Sequence, residues 1–192
     1  EAAAELDPEY GLAEPRLIAL GLLGRGDETV ALVDEYEVFL EDASVRTQHR
    51  AYALGGAGEI DEGRALLEEE LEFTPGDADL LNASCWYDGI WDRVTEETID
   101  RCTRAIEGLD NSLEALDSRA LALFRLGRND EALRDLDRVL TIDPEMDGSR
   151  YLRGVIRSHS GDAAGAREDI EIVRWASPYT PRQYALWGLK PR

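Results

Sequence analysis

The sequence predicts an all-α protein of about five stacked helix pairs with one further helix at its C-terminal end. A block recurs at an offset of 34 residues. Gly127-Arg128-Asn129-Asp130-Glu131-Ala132 returns as Gly161-Asp162-Ala163-Ala164-Gly165-Ala166, and Pro144 returns as Pro178. A period of this length marks helix pairs that cannot bury their apolar faces alone and must stack on their neighbours. Inside each period the apolar residues follow helical spacing. Hydrophobic residues make up 43% of the 192-residue chain, enough for a core. No apolar run approaches the ~18 residues of a membrane span.

The best-formed unit runs from Leu113 to Met146. Ala115, Leu116, Arg119, Ala120, Leu123 and Phe124 recur at helical spacing, and Leu126-Gly127 marks a stop. Asn129 is placed to cap a second helix, which carries Ala132, Leu133, Leu136, Val139 and Leu140 on one face. Asp143-Pro144 ends it, because proline cannot continue a helix and restricts the residue before it.

The set Ala120, Gly127, Ala132, Leu136, Val139-Leu140 and Asp143-Pro144 resembles a tetratricopeptide repeat. In that pattern small residues at Ala120 and Ala132 let the paired helices approach closely. Leu136 fills the gap between neighbours, and Pro144 lets the next helix turn back. The unit 147–180 repeats the pattern with Gly154, Gly161, Ala166, Ile170, Val173 and Pro178. The unit 44–77 follows it with Ala51, Gly58, Gly63, Leu67 and Pro75, Glu70 being a departure. Two units are degenerate. In 79–112, Thr98, Cys102 and Ala105 fit, while Trp86 and Gly89 do not; in about 12–43, Ala19, Gly26, Ala31 and Val38 fit and Glu35 does not.

The resemblance implies a single domain over 1–192, a right-handed α-α superhelix. Residues 1–11, with Ala4-Glu5-Leu6-Asp7-Pro8, read as the remnant of a preceding repeat. Residues 181–192 read as a capping helix in which Tyr184, Leu186 and Trp187 shield the last repeat. The chain starts at Glu1, and the expectation is a processed product or a piece of something longer.

In the tetratricopeptide fold Cys85 and Cys102 would face each other across one helix pair. That implies either a disulfide or two small buried hydrophobes. A bridge would imply an oxidising compartment such as a bacterial periplasm; without it the expectation is cytoplasmic. Two cysteines do not complete a zinc site, and no metal or cofactor is implied. His49 and His159 fall in different repeats with no accompanying nucleophile and carboxylate, so the chain is not expected to be an enzyme. Gly55-Gly56-Ala57-Gly58 lacks the Lys-Ser/Thr of a phosphate loop and reads as a helix end with a tight turn. Glu68-Glu69-Glu70 with Glu72 reads as a solvated helix face.

Net charge is −20, from 41 acidic and 21 basic residues, of which Lys190 is the single lysine. That balance argues against nucleic acid and anionic membranes and favours a basic partner or plain solubility. In the resembling family the first helices line a concave groove. The residues carried over to it are Tyr52, Tyr87, Trp91, Leu121, Phe124, Arg125, Tyr151 and His159, an aromatic stripe with an occasional charge. The same residues read equally as core or capping packing. Gln48, Ala83, Asp117 and Tyr151 stand where a family subtype that clamps C-terminal carboxylates needs basic residues, so that subtype is set aside.

The expected function is a protein–protein interaction scaffold or adaptor holding a peptide or partner protein in the groove, with no nucleic acid and no membrane insertion. The alternative is a C-terminal docking or assembly arm of a larger bacterial envelope protein or enzyme. It is motivated by the start at Glu1 and by a similarity of Asn82, Cys85-Trp86 and Cys102 to repeat tails on such proteins.

Overall fold

The computed structural model describes residues 25–36 and 42–192. The expectations placed on 1–11, and on Ala19 and Val38, lie outside the described residues. Among the described residues the regular structure is ten α-helices. They are α1 (Gly26–Tyr36), α2 (Ala43–Ala57), α3 (Ile60–Phe73), α4 (Ala78–Ile90), α5 (Glu96–Gly108), α6 (Leu113–Arg125), α7 (Asn129–Ile142), α8 (Asp147–Ser160), α9 (Ala163–Ala176) and α10 (Thr180–Leu186). The helices α2–α3, α4–α5, α6–α7 and α8–α9 pack as hairpins, α1 lies against α2, and α10 rests on α8 and α9. Each hairpin also packs on the next, so the architecture is an all-α superhelix.

Local chemistry sets the boundaries. Gly127 and Gly161 hold φ of 76° and 91°, the left-handed conformation that closes a first helix and that side-chain-bearing residues avoid. Gly58 closes α2 in the same way, as the glycine run predicts. Asp42 and Asp77 accept backbone N–H bonds at the starts of α2 and α4. Thr95 and Thr98 form a reciprocal capping box on α5. Asn129 departs from expectation. It is the first residue inside α7, with Arg128 in the capping place. Its side-chain amide donates to Ser160 Oγ at 3.0 Å instead of serving its own helix.

Small residues sit where the hairpins close. Ala51, Ala120 and Ala132 are fully buried and Ala166 nearly so. Gly63 of α3 lies so near α2 that an added Cβ would stand 2.6 Å from the Ala51 carbonyl oxygen. It would also press on the Tyr87 hydroxyl, which donates to Ile60 O at 2.9 Å. A main core includes Leu67, Leu80, Leu136, Leu152 and Ile156, and a smaller cluster joins Leu81, Ala105 and Ala115.

Polar ties join the same helices. Arg119 of α6 donates twice to Asp135 of α7, at 2.8 and 2.9 Å, and reaches Thr103 of the preceding hairpin at 3.3 Å. One period later Arg153 of α8 repeats this on Asp169 of α9, at 2.9 and 2.7 Å, and on Asp137 at 2.8 Å. In the 79–112 hairpin the tie is covalent: Cys85 of α4 is bonded to Cys102 of α5, with Cα atoms 5.3 Å apart. Beside it the buried Asp88 accepts from Thr98 Oγ1 at 2.6 Å and Arg101 Nη2 at 2.7 Å, with Arg64 Nε 3.1 Å away. Burial raises the Asp88 carboxyl above its ordinary range, and the Thr98 hydroxyl and the two guanidinium groups pull against that. Glu68 also pairs with Arg64 at 3.1 Å, so this part of the acidic run is engaged and not merely solvated.

Two stability outcomes follow from these contacts. Gly63→Ala overpacks the α2–α3 contact and lowers the unfolding free energy by about 2 kcal/mol in urea titration. Replacing both cysteines by alanine opens the 17-residue spacing and costs ~3 kcal/mol, read as a lower urea midpoint. Adding reductant then leaves the alanine variant's midpoint unchanged.

Candidate functional site: the inner face of the first helices

The first helices α2, α4 and α6 present their polar residues to one cavity of about 450 Å³. Its walls carry Gln48 and His49 from α2, Asp79, Asn82 and Trp86 from α4, and Glu114 and Asp117 from α6. Tyr52 forms part of the floor, and Gln183 of α10 closes one side. Helical spacing brings each set to one side of its helix. Asp79, Glu114 and Asp117 make the cavity acidic.

Asp117 differs from the other two carboxylates. It is 9% exposed, and its Oδ1 has no hydrogen-bond partner. Burial pushes its carboxyl from 3.8 up to about 6, opposed by the Ser149 side chain and reinforced by the Glu114 charge. The sign of the stability effect follows. An acid whose pKa rises on folding favours the native state when protonated, so stability increases as pH falls through 6 and the gain is complete below the unfolded value.

A second cavity of about 360 Å³ lies further along, bordered by Phe124, Arg125, His159 and Arg192. Here the chain's own C-terminal segment lies on the helices. Gly188 takes φ of 75° and turns the chain after α10, so the helix ends at Leu186 and does not run through the expected 181–192. That turn changes which residues shield the last hairpin. Leu186 is exposed, whereas Tyr184, Trp187 and Leu189 are buried. Tyr184 meets Tyr151 edge-on at 5.3 Å, and Trp187 meets Trp86 edge-on at 5.4 Å.

Beyond the turn, main-chain groups are held by side chains of the first helices. Trp187 O accepts from Arg125 Nη2 at 2.8 Å. Lys190 O lies 2.9 Å from His159 Nε2, which must be the protonated nitrogen because a carbonyl only accepts. Arg192 N donates to Ser158 Oγ at 2.7 Å.

The eight residues carried over to the groove are therefore split. Phe124, Arg125 and His159 come together beside the C-terminal segment, with Phe124 edge-on to His159 at 5.3 Å. Arg125 also donates to Gly89 O at 2.9 Å, tying α6 to the end of α4. Tyr52 borders the acidic cavity. Tyr151 lies beneath Tyr184. Tyr87 and Leu121 are fully buried between helices, and Trp91 packs over Gly55, whose added Cβ would stand 2.5 Å from Trp91 Nε1. Gln183 was not singled out from sequence, and Gln48 and Asn82 were read from it for other reasons than lining a cavity.

The fold and its inner face define a stacked helical-repeat protein. Residues 113–146 match the family described as Tetratricopeptide repeat. That match covers one hairpin, and the fold of the chain as a whole is a stacked helical repeat. Solved structures agree in fold. YrrB, described as a TPR protein with an unusual peptide-binding site, aligns at TM-score 0.57 and 18% identity over 97% of this chain and 94% of its own. MamA from Desulfovibrio magneticus RS-1 aligns at 0.60 and 12% over 86% and 96%. MamA of AMB-1 aligns at 0.59 and 19% over 85% and 96%. No curated protein matches the chain.

Asp117→Asn removes the buried charge and raises stability at pH 7.5 by about 1–3 kcal/mol. The advantage shrinks as pH falls through 6 and is lost only below the unfolded value of 3.8, where the wild-type carboxyl is protonated whether folded or unfolded. Urea titrations of both proteins at pH 7.5 and 4.5 check this.

Proposed function

We propose that the protein is an interaction scaffold that holds an extended segment of a partner along the inner face of its first helices. The observation carrying this reading is the C-terminal segment, whose backbone is held on that face through Trp187 O, Lys190 O and Arg192 N. Side chains that bind main-chain groups accept many sequences, which is what peptide recognition on a repeat surface requires. The segment covers the far half of the face and leaves the acidic cavity as the open half. The repeat match and the fold likeness support a protein-interaction scaffold in general.

The Cys85–Cys102 bond supports residence in an oxidising compartment, because thiols in the cytosol are kept reduced. Thiol titration of the unfolded protein without reductant is expected to find no reactive thiol. Two would argue for the cytosol.

The groove is tested with a displayed library of linear peptides selected on the immobilised protein. Selected peptides should lose binding at least tenfold to Asn82→Arg, which places a long side chain in the open half, with the helical fold intact by circular dichroism. Peptides that bind the variant as well as the wild type place the recognition surface elsewhere.

A further inference from the structure

The open half of the face holds a charge without a counterpart. We propose that the cavity between α2, α4 and α6 is a specificity pocket for one guanidinium side chain, so that the partner segment carries an arginine at that point. This deepens the peptide-binding reading and rests on it.

Three features converge. Asp117 lines the cavity, is nine-tenths buried, and its Oδ1 meets no hydrogen-bond donor. A buried carboxylate with no cation beside it costs stability that the Ser149 side chain offsets only in part, and a docked cation would neutralise the charge. Asp79 and Glu114 stand at the exposed rim and give the approach the same sign. The side-chain Oδ1 of Asn82, on the same wall, also has no donor. Two residues of the cavity lining thus keep an acceptor oxygen without a donor.

The chemistry selects the ligand. Among the described residues no group of His, Cys, Asp and Glu is arranged to hold a metal ion, which leaves an organic cation. A guanidinium has five N–H donors in a plane, enough for a carboxylate and an amide oxygen together. The Trp86 ring on the cavity wall suits a flat cation, which an aromatic face attracts. A volume of about 450 Å³ lies within the ~300–1,000 Å³ of small-ligand sites. The overall charge of −20 adds long-range attraction for a basic segment.

The test uses the full chain and two small probes, N-acetyl-arginine amide and its neutral isostere N-acetyl-citrulline amide, followed by amide NMR titration. The arginine probe is expected to shift signals of Asn82, Asp117 and Ser118, with at least tenfold weaker response in Asp117→Asn and none from citrulline. Equal shifts from citrulline overturn the proposal, as does an arginine response spread over the acidic surface that Asp117→Asn leaves unchanged. The peptide selection separates this proposal from the one beneath it. Peptides that Asn82→Arg blocks but that lack arginine sink the guanidinium pocket and keep the groove. A library without binders removes the groove, and the arginine titration then decides the pocket by itself.

Discussion

Each first helix of the last two hairpins is pinned by one arginine that reaches two second helices at once. Arg119 grips Asp135 within its own hairpin and Thr103 in the one before; Arg153 grips Asp169 and Asp137 in the same sense. Apolar burial alone would let neighbouring hairpins slide, because hydrophobic contact is non-directional. Two parallel charge-assisted bonds to a carboxylate fix distance and angle together. The guanidinium groups are largely buried against their partners, so solvent and salt screen them less than surface pairs. Where this arginine is missing, in the 79–112 hairpin, Cys85 stands one period before Arg119 and bonds to Cys102.

That geometry decides what the inner face can do. With the hairpins held at a repeating angle, α2, α4 and α6 present their inward polar residues to a shared space, and the far helices accept the C-terminal segment. The self-contact at Arg125, His159 and Ser158 and the open acidic cavity are two halves of one surface. A polypeptide backbone is already held in one half, and the other keeps a buried carboxylate with no cation beside it. Residues that lower stability for no packing gain commonly mark binding surfaces.

The fold was legible because its demands fall on residue types. Close helix approach requires Ala120, Ala132 and Gly154, the reversal after the first helix requires Gly127 and Gly161, and the ends require Pro144 and Pro178. The site was less so. Position along a first helix puts Asp117, Phe124, Arg125 and His159 on one side, where they border cavities, yet Tyr87 and Leu121 share that side and are covered by neighbouring helices. Burial depends on what a non-local element places on top, which spacing within one helix does not encode. The C-terminal turn at Gly188 was missed for a similar reason: it exchanges Leu186 for Leu189 in the core, and helical periodicity cannot register a break of one residue. The arginine ties were hidden by composition, since an acidic chain reads as a solvated surface. Their one sequence trace is that the pair Arg119 and Asp135 recurs as Arg153 and Asp169.

The repeating tie is the claim on which the rest stands, and a double-mutant cycle measures it. Arg119→Met, Asp135→Leu and the double variant are compared with the wild type by urea unfolding. The account predicts a coupling free energy of about 1–3 kcal/mol that 1 M salt reduces only slightly. A coupling within error of zero, or one abolished by salt as for an exposed pair, would contradict it.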